Sequence, residues 1–266
     1  MIYKYPDDFI NKIMCGDCLE VMKYIPNSSI DLVVTSPPYN IGIDYKSGWD
    51  SDRLTIIQYK EFSKKYMETI YRIIKQDGRF CLNIGYRLCT IVERSGMDYI
   101  EILNIAKEIG FKLRETIVWI KTRERENPQS FCGANTAWGS WLSASNPICR
   151  SFFEFIFIFY KEHIGKQSKG ESTMTKKEFI EYTQNAWYFS AETNRLHPAP
   201  FPKELPMRCI KLLSYKDDIV LDPFVGWGTT AVVAKELYRQ YIGIDNNSDY
   251  CEIARKRINS ITGKLF

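Results

Sequence analysis

Two short stretches of the sequence carry residue types that could perform chemistry, and each follows a run of β-branched and aliphatic residues. The first, VVTSPPYN at residues 33–40, places a hydroxyl, two prolines and an aromatic ring after an apolar run. The second, IVLDPFVGWGTTA at residues 219–231, ends its apolar run in a carboxylate and a Gly-x-Gly turn. Both patterns are typical of a buried strand whose carboxyl end leads into a functional loop.

The SPPY residues suit an enzyme that acts on an exocyclic amino group, because the lone pair of such an amine is conjugated into its ring. Ser36 Oγ and the carbonyl of Pro37 are candidate acceptors for the amine hydrogens, since Pro37 and Pro38 fix the backbone of the loop. Tyr39 could stack on the face of the base, an interaction that contributes about 1–3 kcal/mol. The alternative is a proline-terminated strand with Tyr39 packed in the core.

The second stretch has the strand–turn–helix context of a nucleotide-binding loop. Gly226 and Gly228 allow a tight turn and a close approach of the backbone to a ligand. Asp245 ends the next apolar run, YIGID, where a carboxylate accepts hydrogen bonds from the hydroxyls of a ribose. Because Gly226, Gly228 and Ala231 also fit G-x-G-x-x-A, this motif alone leaves an adenosyl and a dinucleotide cofactor open.

Composition limits the class of protein. The 266 residues are 45% hydrophobic and 26% charged, as in a soluble globular protein, and the net charge of +4 permits a nucleic-acid partner without requiring one. The most apolar run, Phe152–Tyr160, is too short to cross a bilayer and carries Glu154. We find no secretory signal, and we therefore expect a cytoplasmic protein with no membrane partner and with reduced cysteines.

Cys15 and Cys18 form a CxxC motif, which is found in redox pairs and in zinc sites. The chain has no second CxxC and only two histidines, His163 and His197. The sequence therefore favours two small residues at a strand end, and we expect no metal site.

Short apolar runs alternate with helical patterns, which predicts one α/β domain with a mostly parallel sheet. The predicted strands are Lys12–Cys15, Leu32–Thr35, Arg79–Ile84, Thr116–Lys121, Phe153–Tyr160, Ile219–Leu221 and Tyr241–Ile244. The predicted helices are Leu19–Tyr24, Ile57–Lys75, Tyr99–Ile109, Glu204–Leu213, Thr229–Leu237 and Ser248–Ile258. Two stretches fit neither pattern: we expect Arg123–Arg150 to be a binding surface and Ile164–Lys177 to be a mobile loop.

The sequence resembles the β group of amino-methylating DNA methyltransferases, in which a circularly permuted chain places the catalytic motif before the cofactor motif. TSPPYN at 35–40 and DPFVGWGTT at 222–230 carry the resemblance. It extends over most of the chain in five further segments, which are MCGDCLEVMKYIPNSSIDLVV at 14–34, GRFCLNIG at 78–85, ETIVWIKT at 115–122, HPAPFPKELPMRCI at 197–210 and YIGIDNNSDYCEIARKRI at 241–258.

This resemblance implies a Rossmann-like methyltransferase fold over residues 1–266, with a seven-stranded sheet in the family order 3-2-1-4-5-7-6 and strand 7 antiparallel. It implies S-adenosylmethionine as the methyl donor and double-stranded DNA, with its target base flipped out, as the substrate. The implied catalytic residues are Ser36, Pro37, Pro38 and Tyr39. The implied cofactor-binding residues are Asp17, Asp222, Phe224, Gly226, Gly228, Thr229, Thr230 and Asp245. Phe201 and Lys203 are implied to close the methionine end of the cofactor site.

The residue before Pro-Pro-Tyr bears on the target base. In the family that the sequence resembles, serine at this position accompanies N4 of cytosine, whereas Asp or Asn accompanies N6 of adenine, so Ser36 favours cytosine. The same chemistry on adenine N6 remains an alternative. A different class of alternative is a nucleic-acid-binding domain without catalysis, or a methyltransferase for RNA or a protein amide.

The resemblance also implies a restriction–modification system with a cognate restriction endonuclease, and a monomer or homodimer. It places target recognition between the predicted strand Thr116–Lys121 and the HPAPFP segment, for which the candidate insertions are 122–150 and 164–194. Four arginines there could contact guanines or phosphates. They are Arg123, Arg125, Arg150 and Arg195.

Overall fold

The computed structural model of the chain describes residues 3–43, 52–89, 96–122, 139–149, 151–192 and 202–261. The strands in these residues are β1 (Lys12–Cys15), β2 (Ile30–Thr35), β3 (Ile74–Gly85), β4 (Arg87–Leu88), β5 (Met97–Asp98), β6 (Lys112–Lys121), β7 (Phe153–Tyr160), β8 (Ala186–Phe189), β9 (Ile219–Asp222) and β10 (Gln240–Asp245). The helices are α1 (Cys18–Met22), α2 (Ile56–Ile73), α3 (Tyr99–Ile109), α4 (Lys176–Tyr182), α5 (Glu204–Leu213), α6 (Thr229–Glu236) and α7 (Ser248–Asn259).

One large sheet has the strand order β1-β10-β9-β2-β3-β7-β6-β8, and β4 and β5 form a separate two-residue pair. Strand β7 is antiparallel to both β3 and β6, while the other neighbours in the large sheet are parallel. The first seven strands therefore confirm the predicted order 3-2-1-4-5-7-6 with strand 7 antiparallel. The α/β class and the mostly parallel sheet are also confirmed.

The prediction of seven strands was wrong by one, because β8 adds an eighth strand beside β6. Its four residues, AWYF, lie in the segment 164–194 that was expected to be a loop insertion. Its pairing with Val118–Lys121 of β6 provides the hydrogen bonds that make so short a segment a strand. A run of this length carries too little periodicity to be identified from sequence.

The boundary between α2 and β3 also differs from the prediction, which continued the helix to Lys75 and began the strand at Arg79. The helix begins with a capping box between Thr55 and Gln58, and it ends at Ile73. Ile74 already pairs with Ile30 of β2, so strand pairing takes over directly from the helix. Strand pairing with β2 thus ends helix α2 earlier than its local sequence pattern predicts.

Helices cover both faces of the sheet. Helices α1, α2 and α3 contribute to one buried apolar cluster, and α5, α6 and α7 contribute to the other. Within β2, Val33 belongs to the first cluster, whereas Leu32 and Val34 belong to the second. This alternation follows from the two-residue period of a strand, and burial on both faces explains why β2 is apolar at three consecutive positions, 32–34. Among the described helices, none is both long and apolar enough to cross a membrane.

The segment expected to be a mobile loop, Ile164–Lys177, is held against the amino edge of the sheet. Lys166 Nζ lies 2.6 Å from a carboxylate oxygen of Asp218, just before β9, and the Gln167 amide donates to Asp77 at 2.7 Å. A capping box between Thr175 and Glu178 then begins α4. Residues 164–175 contain no helix or strand, as expected of a loop, and polar contacts that composition does not reveal position this loop, while its mobility stays a prediction.

The parallel strands bring their carboxyl ends to one edge of the sheet. Strands β2 and β9, which are adjacent in the sheet, end there at Thr35 and Asp222. Strands β10 and β1 end next to them, and the antiparallel strand β7 begins at the same edge on the other side of β3. The SPPY loop, the glycine turn and Asp245 therefore converge on this carboxyl edge.

Candidate active site

A buried carboxylate connects the two loops that the sequence singled out. Asp222 Oδ1 accepts hydrogen bonds from Thr35 Oγ1 at 2.6 Å and from the Phe224 amide at 3.1 Å, and Asp222 Oδ2 accepts one from Thr230 Oγ1 at 2.6 Å. Burial raises the pKa of Asp222 to about 6, although the threonine hydroxyls oppose that rise by stabilising the carboxylate. Asp222 thus fixes the end of the SPPY strand against the glycine turn.

The glycine turn has a backbone that requires glycine. Gly226 and Gly228 have φ values of 52° and 90°. A Cβ added to Gly228 would lie 2.7 Å from the Cβ of Ala254 in α7, so this glycine also allows the turn to pack against that helix. Helix α6 begins directly after Gly228, and its first amides therefore point out of the carboxyl edge.

Asp245 is held at the end of β10 by two backbone amides. Its Oδ2 accepts from the Gly226 amide at 2.9 Å, and its Oδ1 accepts from the Asn247 amide at 2.8 Å. Burial raises the pKa of Asp245, and these two hydrogen bonds act in the opposite direction. The carboxylate is therefore fixed beside the glycine turn, and its remaining lone pairs can accept from a diol.

The other predicted cofactor residues surround this turn. Asp17 caps α1 by accepting from the Leu19 and Glu20 amides, and the ring of Phe224 lies edge-on to Tyr66 at 5.4 Å between centroids. Thr229 Oγ1 accepts from Arg257 at 3.2 Å. The threonine side chains and Asp222 thus serve to position the loop, while direct contact of these residues with a cofactor stays a prediction.

The SPPY loop is rigid for reasons beyond its prolines. Pro37 is buried, and the carbonyl of Pro38 accepts a 2.7 Å hydrogen bond from the hydroxyl of Tyr59 on α2. After Tyr39, the Asn40 side chain exchanges two hydrogen bonds with the Leu54 backbone. Because Thr35 is bonded to Asp222 and Pro38 to Tyr59, the chain is held on both sides of the half-buried Ser36.

A chain of hydrogen bonds leads from Ser36 into the sheet. Ser36 Oγ lies 3.0 Å from the hydroxyl of Tyr39, and that hydroxyl donates to Glu154 Oε2 at 3.0 Å. Asn83 Nδ2 donates to the same carboxylate oxygen at 3.0 Å, and Lys121 Nζ pairs with Oε1. Glu154, Asn83 and Lys121 project from three adjacent strands, so the tertiary fold assembles this group.

Sequence reasoning missed Glu154, Asn83, Lys121 and Tyr59. A signal for Glu154 was present, because it is the lone charged residue of the apolar run FFEFIFIFY, and a carboxylate in a buried strand needs partners. Of the residues expected to close the methionine end, Lys203 pairs with Glu236 of α6 at 2.7 Å, and Phe201 lies outside the described residues.

Comparison with known proteins agrees with this geometry. An α/β sheet that brings a glycine turn, the Asp245 carboxylate and the SPPY loop to its carboxyl edge has the layout with which open α/β proteins bind ligands. The family described as DNA methylase, N6_N4_Mtase, matches residues 30–256. The chain belongs to this family of amino-methylating DNA methyltransferases, as its resemblance implied.

The relatives cover most of the chain. The type II methyltransferase M.MjaVI of Methanocaldococcus jannaschii is 41% identical over 64% of this chain and 82% of its own length. M.BglII of Bacillus subtilis is 30% identical over 94% of this chain and 69% of its own length. M.HinfI of Haemophilus influenzae is 31% identical over 96% of this chain and 70% of its own length.

Solved structures share the fold. The Thermus thermophilus protein TTHA0409, complexed with S-adenosyl-L-methionine, aligns with a TM-score of 0.71 at 23% identity and covers 95% of both chains. The PvuII DNA methyltransferase (cytosine-N4-specific) aligns with a TM-score of 0.67 at 22% identity over 95% of this chain and 87% of its own. These alignments extend over nearly all of the sheet and its helices.

S-adenosylmethionine is the methyl donor of this family, and the carboxyl edge fits it. The fixed carboxylate of Asp245 suits the ribose hydroxyls, and the glycine turn of Gly226 and Gly228 leaves the backbone open to close approach. The ring of Phe224 supplies an apolar surface next to that turn. The predicted cofactor is therefore confirmed, while the contact assigned to each residue stays a prediction.

Proposed function

We propose that this chain transfers a methyl group to N4 of cytosine in duplex DNA. The observation that carries the proposal is the position of Ser36, a neutral hydroxyl directly after Thr35, whose side chain is bonded to the glycine-turn carboxylate Asp222. Ser36 thus stands at the point where a cofactor bound at the turn and a base bound at the SPPY loop would meet. In the family, a serine before Pro-Pro-Tyr accompanies cytosine.

The residues of the chain have separate tasks in the reaction. S-adenosylmethionine, when bound, supplies an electrophilic methyl group. Ser36 Oγ and the Pro37 carbonyl accept hydrogen bonds from the amine, which concentrates electron density on its nitrogen. Tyr59 and the two prolines hold those acceptors in place, so that their geometry costs no reorganisation during transfer.

Duplex DNA as substrate requires the target base to leave the helix. Extrusion costs a few kcal/mol, and stacking on an aromatic ring returns about 1–3 kcal/mol. The Tyr39 ring lies close to Gly85, where an added Cβ would lie 3.3 Å from two of its ring carbons. A half-buried ring at the carboxyl edge supports the proposal that it stacks on the flipped base.

We propose that target recognition uses the connection between β6 and β7, residues 122–150. This connection leaves the sheet and returns to it at the carboxyl edge, and its described part, 139–149, exposes Leu142 at 90% and Trp141 at 64%. The four arginines expected to contact DNA lie outside the described residues. Of 164–194, the part near Phe189 at the end of β8 reaches the same edge, whereas the part near Lys166 lies at the opposite edge.

The relatives, whose names identify them as type II methyltransferases, support a restriction–modification role. We propose that this chain modifies the site of a cognate restriction endonuclease. Complete protection of modified DNA from that endonuclease in the host would test this part of the proposal, and cleavage of fully modified DNA would contradict it.

The identity of the methylated nucleoside shows which base the enzyme modifies. The protein is incubated with S-adenosylmethionine and unmethylated DNA of varied sequence, and the digested nucleosides are separated by mass spectrometry. We expect N4-methylcytosine. N6-methyladenine would contradict the choice of base while preserving the family chemistry. Methylation of RNA or a protein amide without any DNA product, or DNA binding without methylation, would instead support the alternatives of a different class.

A further inference from the structure

The reaction leaves a proton to be removed, and the structure offers a route for it. As the methyl group bonds to the exocyclic nitrogen, that nitrogen becomes positively charged and carries one proton more than the product needs. A serine hydroxyl is too weak a base to keep that proton. Any removal through Ser36 therefore requires a stronger acceptor connected to it.

We propose that Glu154 is the terminal proton acceptor of the methylation reaction, reached from the substrate amine through Ser36 and Tyr39. The distance from Ser36 Oγ to the Tyr39 hydroxyl and that from this hydroxyl to Glu154 Oε2 are both 3.0 Å. Each is a hydrogen-bond distance, so the three groups form a continuous path.

The direction of the path is fixed by the donors that surround Glu154. Its carboxylate accepts from Asn83 Nδ2 on one oxygen and pairs with Lys121 Nζ on the other. An ionised carboxylate is acceptor-only, so the single hydrogen of Tyr39 must point to Glu154. The tyrosine oxygen then accepts the hydrogen of Ser36, which leaves the lone pairs of Ser36 facing outward to accept from an amine.

The proton steps balance along this path. The proton of the methylated nitrogen bonds to Ser36 Oγ as the serine hydrogen passes to the Tyr39 oxygen and the tyrosine hydrogen passes to Glu154 Oε2. The nitrogen becomes neutral, the two hydroxyls are restored with reversed orientation, and Glu154 becomes a carboxylic acid. The side chain of Glu154 is 13% exposed, so it can return the proton to solvent before the next turnover.

Two further features of the site suit this role. Gly85 pairs with Glu154 in the sheet and has no side chain, which lets the Tyr39 ring lie against the strand and reach the carboxylate. Lys121, whose side chain is 21% exposed, places a positive charge beside the Glu154 carboxylate and holds it next to the hydroxyl of Tyr39. Among the described residues, Tyr39 and Lys121 are the titratable groups in contact with Glu154.

The test measures single-turnover methyl transfer as a function of pH, with saturating S-adenosylmethionine and DNA. Glu154→Gln keeps the shape of the side chain and an acceptor for Tyr39 but removes the base. We expect its rate to fall about 100-fold, at the lower end of general-base effects, and to lack the decrease at acidic pH that we expect of the wild type. Glu115→Gln, on the exposed amino half of β6, is the matched control and should keep the wild-type rate and profile.

Two more variants separate proton transfer from support of the fold. Tyr39→Phe retains the ring that stacks on a base but breaks the path, so we expect a similar loss of rate with unchanged cofactor affinity. Lys121→Met removes the cation that pairs with Glu154, so we expect slower methyl transfer with unchanged cofactor affinity.

A wild-type rate and pH profile in Glu154→Gln would overturn the proposal. If Glu154→Gln proves unfolded, Tyr39→Phe decides, and a wild-type rate in that variant would overturn it equally. The inference rests on the proposed position of the amine at Ser36. The test measures total methyl transfer to DNA, whichever base is methylated. A product other than N4-methylcytosine would therefore contradict the proposed base without affecting this test.

Discussion

Thr35 Oγ1 donates a 2.6 Å hydrogen bond to Asp222 Oδ1, and each residue is the last of its strand. Strands β2 and β9 are parallel neighbours in the sheet, although Thr35 and Asp222 lie 187 residues apart in the sequence. This bond joins the loop that would hold the base to the loop that would hold the cofactor. The relative position of methyl donor and acceptor therefore depends on a contact that neither motif contains alone.

Replacing Thr35 with valine should destabilise the protein, because it keeps the shape of the side chain and leaves an oxygen of the buried Asp222 without this donor. We expect the free energy of unfolding to fall by about 1–3 kcal/mol in urea titrations. Thr183→Val, which removes an exposed hydroxyl at the end of α4, should change it by about 0.5 kcal/mol or less. Equal changes in the free energy of unfolding would show that the Thr35 hydrogen bond stabilises the protein no more than an exposed hydroxyl does.

Stability should depend on pH through Asp222. Its pKa is raised by burial to about 6, above that of an unfolded aspartate at about 3.9, so the folded state binds the proton more tightly. The contribution of Asp222 to stability is therefore greatest below about pH 4 and declines as pH rises toward 6, by about 2–3 kcal/mol in total. Subtracting the unfolding free energy of Asp222→Asn from that of the wild type at each pH isolates this decline. If the difference between the two unfolding free energies does not change between pH 4 and 6, the prediction for Asp222 is wrong.

Ser36→Ala should abolish most methylation while leaving cofactor binding intact, because the proposed role of the hydroxyl is to accept from the amine and not to bind the cofactor. We expect turnover to fall about 10²–10³-fold, as when one donor or acceptor is removed from a preorganised site. Ser260→Ala, at the exposed end of α7, is the control. Calorimetric titration with S-adenosylmethionine should give the same affinity for all three proteins. Undiminished turnover in Ser36→Ala would remove Ser36 from the mechanism.

Asp245→Asn should act on the cofactor first. The substitution retains one oxygen for the backbone amides and loses the charge that strengthens hydrogen bonds to a ribose. We expect the affinity for S-adenosylmethionine to fall about 10–100-fold, equivalent to about 1.5–3 kcal/mol, with a smaller change in the rate at saturating cofactor. Asp217→Asn, an exposed residue before β9, should have no effect on either quantity. A loss of rate without a loss of affinity would contradict the ribose assignment.

Gly228→Ala should disrupt the glycine turn. The backbone conformation at φ 90° disfavours alanine, and the added Cβ would lie 2.7 Å from that of Ala254. We expect a loss of about 1–3 kcal/mol in stability together with weaker cofactor binding. Gly165→Ala is a matched control, since an added Cβ there has no neighbour within 4 Å. Equal melting temperatures for the two variants would show that the turn tolerates a side chain.

Local patterns in the amino-acid sequence were enough to predict much of the fold. The apolar runs identified seven strands, and the family resemblance placed those seven in their observed order. These patterns failed where pairing between distant segments overrode local preference, as at Ile74, which follows a helix directly and pairs with Ile30. They failed again at β8, whose four residues become a strand beside β6.

The active site shows the same division. By itself, the sequence determined the chemical class, because the SPPY loop and the glycine turn are contiguous segments whose residues lie next to one another in any conformation. Only the tertiary structure decided what lies behind Ser36. Glu154 is 118 residues further along the chain, and it meets Tyr39 because β7 is antiparallel and begins at the edge where β2 and β3 end. Contacts of this kind depend on sheet order and strand direction, which no local pattern encodes.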